Sequence, residues 1–221
     1  MLNLDVVAAE QQYPFQHFIG RGLLSSESLH ELVATAPTSA TTTIAVGDPT
    51  HEKQYRMNLI SLVEGDADTE QVDSLPPAWA VLLAELRSER FTTWLSGAVD
   101  VPLLGLLRSI GLYVHRNGDF LSVHKDKPTK AITAILYLNS AWPVDAGGRF
   151  QCFTSGSREA SPVAELLPVG GQLLAFRPTE DSWHAVSEVA HPANEERLSV
   201  QLEYWLSTEL MGSAYKGPAA R

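Results

Sequence analysis

His124 and Asp126 stand two residues apart in the stretch Gly118-Asp119-Phe120-Leu121-Ser122-Val123-His124-Lys125-Asp126. In a β-strand, side chains two apart share a face. The imidazole and the carboxylate would then lie roughly 6 to 7 Å apart along the strand, by its rise per residue, and could clamp one metal ion. Ser182-Trp183-His184-Ala185-Val186 offers a distant second imidazole. Two His and one carboxylate on three corners of an octahedron leave three positions open, the arrangement that suits Fe(II) handling O2. A bare His-x-Asp also occurs as a surface His beside a solvated Asp, here ahead of the Lys127-Pro128 turn. What distinguishes the two readings is the company the pair keeps.

The elements that must position these residues fall into two halves. Residues 14 to 35 read as a leading strand and a helix, with Phe15, Phe18 and Ile19 apolar and Leu29, Leu32 and Val33 as a helical stripe. Ser25, Ser26 and Ser28 offer N-caps, Ser28 with Glu31 matches a capping box, and Pro37 ends the helix. Residues 34 to 43 are loop-like. A strand is expected over 53–63, followed by a polar loop from Glu64 to Asp73. Pro76-Pro77 opens the strongest helix, running to about Leu95 and carrying Trp79, Leu82, Leu83, Leu86, Phe91, Trp94 and Leu95 at three- and four-residue spacing. Such a stripe belongs against the outside of a sheet.

After Pro102 the texture changes to short apolar segments punctuated by Gly, Pro, Asn and Asp. Strands are expected near 110–116, 119–125, 130–139, 148–153, 164–168, 172–176, 184–190 and 197–205. About eight strands is the number of a jelly-roll barrel of two packed sheets. Asn117-Gly118 is a hairpin signal, and Pro168-Val169-Gly170-Gly171 a turn.

Composition bounds the function. The 221 residues are 44% hydrophobic, enough to bury a proper core, and the formal charge of -10 argues against nucleic acid as a partner. Cys152 is the only cysteine, so no disulfide can form within the chain, which fits a reducing cytoplasm. A buried strand residue is the plainer reading of Cys152 than a nucleophile. No basic leader followed by an apolar run opens the chain, and no stretch approaches the roughly 18 apolar residues that span a bilayer. A membrane is not an expected partner.

Alternation then assembles a site. Thr133, Ile135, Tyr137 and Asn139 share one side of their strand. Arg197 and Ser199 share a side of theirs, opposite Leu198, Val200 and Leu202. An Arg facing a barrel interior is costly unless it meets an anion, and its planar guanidinium could grip a carboxylate with two parallel hydrogen bonds.

The ordered pieces carry a resemblance. They are Tyr113 ahead of Gly118-Asp119-Phe120-Leu121; His124-Lys125-Asp126; Thr133-Ala134-Ile135-Leu136-Tyr137-Leu138-Asn139 with Trp142; Gly147-Gly148-Arg149-Phe150; Gly171 to Phe176; Trp183-His184-Ala185-Val186; and Arg197-Leu198-Ser199. Over roughly residues 105 to 206 the chain resembles the 2-oxoglutarate- and Fe(II)-dependent dioxygenase superfamily, in its prolyl-hydroxylase-like branch. The resemblance implies a mainly β fold with N-terminal support helices (α+β) around a double-stranded β-helix, or jelly-roll, core. One dioxygenase domain would fill 1–221, with a helical support region over 1–104, the core over 105–206 and a tail over 207–221.

It further implies His124, Asp126 and His184 as iron ligands and catalytic residues. Arg197 would hold the distal carboxylate of 2-oxoglutarate, with Tyr137 and with Tyr113, Thr133 or Ser199 assisting. Fe(II), 2-oxoglutarate and O2 are the expected cofactors, with ascorbate as a stimulant. Gly147 and Gly148 would serve the backbone. One departure is the longer segment between His184 and Arg197, from Ala190 to Glu196, read as an extended hairpin loop; it makes His191 a rival third ligand. A carboxylate at position 126 favours hydroxylation over halogenation and leaves desaturation or ring closure open.

The expected activity is hydroxylation of an unactivated C–H bond of an amino-acid-like small molecule, with release of succinate and CO2. Alternatives are a peptidyl, prolyl-type side-chain hydroxylase and, from another class, a non-catalytic cupin-like metal-binding or sensory module. Tyr55, Arg56, Asn58, Arg116, Arg149 and Trp183 are the candidate substrate contacts, each with a packing or surface role as its plainer reading. Monomer and homodimer are both compatible with the sequence.

Overall fold

The structure, a computed structural model, describes residues 1–48 and 50–206. The expected tail over 207–221 lies outside them. In chain order the elements are β1 (Ala9–Gln11), β2 (His17–Gly20), α1 (Ser26–Ala34), β3 (Thr42–Val46), β4 (Tyr55–Glu64), β5 (Ala67–Asp68), α2 (Pro77–Arg87) and α3 (Glu89–Val99). Then come β6 (Leu107–His115), β7 (Phe120–His124), β8 (Lys130–Tyr137), β9 (Phe150–Phe153), β10 (Ala164–Leu166), β11 (Leu173–Phe176), β12 (Trp183–Val186) and β13 (Arg197–Trp205). All eight strands expected after Pro102 are present.

The pairing is that of a jelly roll. One face runs β2-β11-β8-β13-β6-β4 and the other β7-β12-β9-β10, in a single antiparallel sheet curled on itself. β4 bridges the two faces, pairing Asn58 to Glu64 with β6 and Tyr55 and Arg56 with β7. The expected leading strand is β2 and the strand expected over 53–63 is β4, and both join the sheet, β2 beside β11 and β4 beside β6.

Alternation sorts the two faces of the larger layer. Leu112, Val114, Ile132, Ala134, Leu136, Leu198, Val200 and Leu202 point outward into a core completed by Leu29, Leu32, Trp79, Leu82, Leu83, Leu86, Phe91 and Leu95 of the helices. Each Leu, Ile, Val or Phe among them, fully buried, contributes on the order of 1.5–3 kcal/mol. Ile135, Tyr137, Phe150, Cys152, Leu174 and Phe176 form a second cluster inside the barrel.

The long helix expected from Pro76 to Leu95 is two helices. Ser88 is extended (φ -66°, ψ 148°), and its hydroxyl accepts from Phe91 N, capping α3. The apolar stripe runs through the break because both helices pack on one sheet, which periodicity alone does not separate. At α1 the cap is Ser25, whose Oγ accepts from Ser28 N, so Ser28 and Glu31 do not form the expected box. The loop expected over 64–73 holds β5 and the start of a short 3-10 turn. The stretch from Ala190 to Glu196 is a loop as expected, and the loop begins earlier, at Ser187, because β12 ends at Val186 and not near 190.

Candidate active site

β7 and β12 pair with His184 directly opposite His124, which places their ring centroids 4.2 Å apart. Asp126 lies two residues beyond His124, just past the end of β7, not on the strand itself. The ligand atoms of His124, Asp126 and His184 all lie within 4.8 Å of one another and could hold a metal ion. Both imidazoles are oriented alike. Nδ1 of His124 meets Ser122 O at 2.9 Å and Nδ1 of His184 meets Ser182 O at 2.8 Å. A carbonyl only accepts, so Nδ1 carries the proton and each Nε2 lone pair is left for a metal. Phe150 stacks on the His184 ring at 5.3 Å and Phe176 meets it edge-on at 4.8 Å.

Charge states suit a divalent ion. Burial lowers the pKa of both imidazoles, for His124 helped by Lys53 and His184, so they stand neutral. Burial pushes the Asp126 carboxyl up, but neighbouring positive charge, Lys130 first, outweighs it and holds it well below the usual carboxylate range. Asp126 Oδ2 accepts from Thr133 Oγ1 at 2.6 Å, and Oδ1 lies 3.1 Å from Lys130 Nζ. Two neutral imidazoles and an ionised carboxylate are a donor set that fits Fe(II).

The three line a cavity of about 210 Å³ that also exposes Tyr113, His115, Thr133, Ile135, Arg197, Ser199, Gln201 and Glu203. β-Register brings the far end together: Arg197 pairs with His115, and Ser199 with both Tyr113 and Tyr137. Arg197 is buried, with Nε donating to Gly148 O at 2.7 Å and its guanidinium 5.2 Å over the Tyr137 ring. Gly148 has φ +64°, and a Cβ there would stand 2.9 Å from Arg197 Cδ; at Gly147, φ +65°, it would stand 1.8 Å from Glu188 O. This glycine pair is what admits the arginine.

His115 is a residue that sequence reasoning missed. Its Nδ1 lies 3.4 Å from Arg197 Nη1. A guanidinium only donates, so Nδ1 accepts and the proton sits on Nε2. Burial, then the charge of Arg197, drives its pKa well below the usual value, so the ring is neutral. Among the described residues, His115 Nε2 and Tyr137 OH are buried with no hydrogen-bond partner. Burial pushes the Tyr137 phenol up to about 12, so it keeps its proton. Two unpaired buried donors beside a buried guanidinium fit a carboxylate, which supplies acceptors only.

Lys130, Gln201 and Glu203 were missed as well. Lys130 Nζ also lies 2.6 Å from Glu203 Oε1, which accepts from Gln201 Nε2 at 2.8 Å. The period-two face that carries Arg197 and Ser199 continues through Gln201 and Glu203, so half of this group was readable from the alternation.

The six candidate substrate contacts line up elsewhere, off the cavity wall. Asn58 and Arg116 build a network on the buried Asp119: Asn58 Nδ2 and Arg116 N both donate to Asp119 Oδ2, and Arg56 lies 3.3 Å from its Oδ1. Arg149 pairs with Glu165 at 2.7 Å. Trp183 packs on Gly156, its neighbour His184 taking the inward face. Tyr55 lies beneath Lys53, whose Nζ is 5.8 Å from the ring centroid. His191 sits in its loop against Trp142 at 4.9 Å, its Nδ1 accepting from Ala193 N, and takes no part in the cavity. Cys152 is buried, with its thiol pushed up to about 12, an inert strand residue.

Comparison with known proteins agrees with the site. Residues 110–207 match the family model of the 2OG-Fe(II) oxygenase superfamily. No curated protein sequence matches the chain. Among solved structures, a prolyl-4-hydroxylase from Pseudomonas putida superposes with TM-score 0.58 at 18% identity, over 87% of this chain and 93% of its own. A prolyl hydroxylase from Trichoplax adhaerens, in complex with a hypoxia inducible factor peptide fragment, gives 0.57 at 16%, over 86% and 83%. The non-heme alpha ketoglutarate dependent epimerase SnoN of nogalamycin biosynthesis gives 0.55 at 14%, over 86% and 76%. These structural likenesses establish the shared fold. The segment that carries the site, residues 110–207, matches the 2OG-Fe(II) oxygenase superfamily, a class of oxidoreductases that use Fe(II), 2-oxoglutarate and O2. Among the described residues, no helix is long and apolar enough to cross a membrane.

Proposed function

We propose that this protein hydroxylates an unactivated C–H bond of an amino-acid-like small molecule, with His124, Asp126 and His184 as the iron ligands. Per turnover one O2 and one 2-oxoglutarate are consumed; one oxygen atom enters the substrate as hydroxyl and the other enters succinate, with CO2 released. The observation that carries the reading is one cavity of about 210 Å³ shared by the three ligands and Arg197. That volume lies below the usual range of ligand pockets, which favours a small substrate.

Iron and 2-oxoglutarate, when bound, supply the oxidant; the hard chemistry is theirs. The chain's own residues orient and shield. Ser122 O and Ser182 O hold the two imidazoles with Nε2 inward. Thr133 fixes one oxygen of Asp126, a supporting role for a residue first read as a co-substrate contact. Arg197 grips the distal carboxylate of 2-oxoglutarate, with His115 Nε2–H, the Ser199 hydroxyl and Tyr137 OH as further donors, and Tyr113 on the neighbouring strand walls that end. Phe150 and Phe176 keep water from His184.

A peptidyl substrate is the second reading, favoured by the fold shared with two prolyl hydroxylases. Succinate release tests both. Release that rises severalfold with a free amino acid, and not with prolyl peptides, supports the proposal; stimulation by peptides alone overturns the small-molecule reading.

A further inference from the structure

The charges in the cavity divide into two ends. Arg197 acts on His115 and Tyr137, whereas the field of Lys53 reaches all of His124, Asp126 and His184, and that of Lys130 reaches Asp126 and His184. The first end is accounted for by the co-substrate. The second is where a primary substrate must meet iron.

Lys53, Lys125, Lys127, Lys130 and Arg197 line the cavity against Glu52, Asp126 and Glu203, an excess of two positive charges with the imidazoles neutral. Divalent iron adds two and 2-oxoglutarate removes two, so the excess persists with both bound. This sits inside a chain whose formal charge is -10. Lys130 is matched by Asp126 and Glu203, and Lys125 by Glu180. Lys53 has no carboxylate within ion-pair distance among the described residues; its ammonium rests over the Tyr55 ring.

Lys53 is also held in place. Gln54 N donates to Ser122 Oγ at 2.8 Å and Gln54 O accepts from Ser122 N at 2.8 Å, a staple onto β7 two residues before His124. His51 Nδ1 donates to Lys53 O at 2.7 Å. Burial pulls the ammonium down to about 8, with Asp126 opposing, which leaves it mainly protonated at pH 7.

We infer that Lys53 is a specificity-determining residue that receives the carboxylate of the primary substrate, which is a small carboxylic acid of the free amino-acid type. The inference rests on the proposed oxygenase reading and adds the group that selects the substrate. A lysine offers a compact point charge with rotatable donors, and a carboxylate seated there lies on the iron side of the cavity away from Arg197.

The test uses the full chain loaded with Zn(II) and 2-oxoglutarate, with the twenty free L-amino acids and their α-amides as probes. Binding is read by ligand-observed saturation-transfer NMR and competition titration. The amide keeps the ammonium and removes only the anion. At least one acid is expected to bind about tenfold or more tightly than its amide. Lys53→Met should abolish that ratio, Lys53→Arg should restore most of it, and 2-oxoglutarate affinity should stay within about twofold in both. Equal binding of acids and amides, a ratio that survives Lys53→Met, or binding of a blocked prolyl peptide where no acid binds would each overturn the inference while leaving the oxygenase reading intact. Failure of the wild-type protein to bind 2-oxoglutarate would instead overturn that reading, and this inference with it.

Discussion

At the residue scale the site depends on hydrogen bonds that leave one atom of each side chain available. His115 is the sharpest case: Arg197 takes Nδ1, and Nε2–H is left buried without an acceptor among the described residues. A buried donor that loses its partner costs about 1–3 kcal/mol. His115→Phe should therefore weaken 2-oxoglutarate binding about five- to a hundredfold while leaving oxalate, which lacks the distal carboxylate, unchanged; calorimetry on the metal-loaded protein with both ligands checks this. An equal loss for oxalate would place His115 at the metal instead. Thr133→Val removes the donor to Asp126 Oδ2 and should reduce metal affinity about tenfold or more, read by competition with a chelating dye. The ligand trio was legible because His-x-Asp and a distant His are chemical types at fixed spacing. His115 was not, because only the register of β6 against β13 shows that it faces Arg197.

At the element scale, the turns and caps that sequence signals mark are where position is set. The Gly147-Gly148 pair lets β9's leading turn approach β13. Gly148→Ala would put a Cβ 2.9 Å from Arg197 Cδ at φ +64°, a left-handed conformation that costs a non-glycine residue about 1–2 kcal/mol. It should lower stability by at least that amount in urea unfolding and raise the 2-oxoglutarate Kd; unchanged affinity would mean Arg197 does not depend on this turn. Ser88→Ala should cost about 1 kcal/mol by removing the cap of α3. The eight core strands were readable from their apolar length and turn punctuation. The division of α2 from α3 was not, because one apolar stripe continues across Ser88 and the break appears only in its backbone angles. Of the N-terminal strands, β2 and β4 were readable as strands but not their places in the sheet, because their partners β11 and β6 lie far along the chain; β1, β3 and β5 are short or largely exposed and left no apolar run to read.

At the scale of the whole molecule, the jelly roll buries histidines of its larger layer, and this sets a pH dependence. Burial lowers the pKa of His17, opposed in part by its contact with Phe15 O, and lowers that of His115 together with the Arg197 charge. A group whose folded pKa lies below its unfolded value near 6.5 binds fewer protons when folded, so stability is present above that value and lost as pH falls through it. Metal-free protein should lose stability from about pH 7 to 5, with a slope of up to about 1.4 kcal/mol per unit for each such group. His17→Gln should flatten that slope in urea titrations at several pH values; a slope unchanged by the substitution would exclude His17 as a source. The positive interior within an acidic chain was invisible in composition, since a net charge records amounts and not placement.

The measurement that bears most directly on the central claim is anaerobic addition of Fe(II) and 2-oxoglutarate, watching for the weak visible charge-transfer band of the chelate. The wild-type protein should develop the band. His184→Ala should lose it, and Arg197→Ala should require at least tenfold more 2-oxoglutarate to reach it. Tight iron binding with no band at saturating 2-oxoglutarate would contradict the account, because the cavity would then hold a metal without the co-substrate that Arg197 is placed to receive.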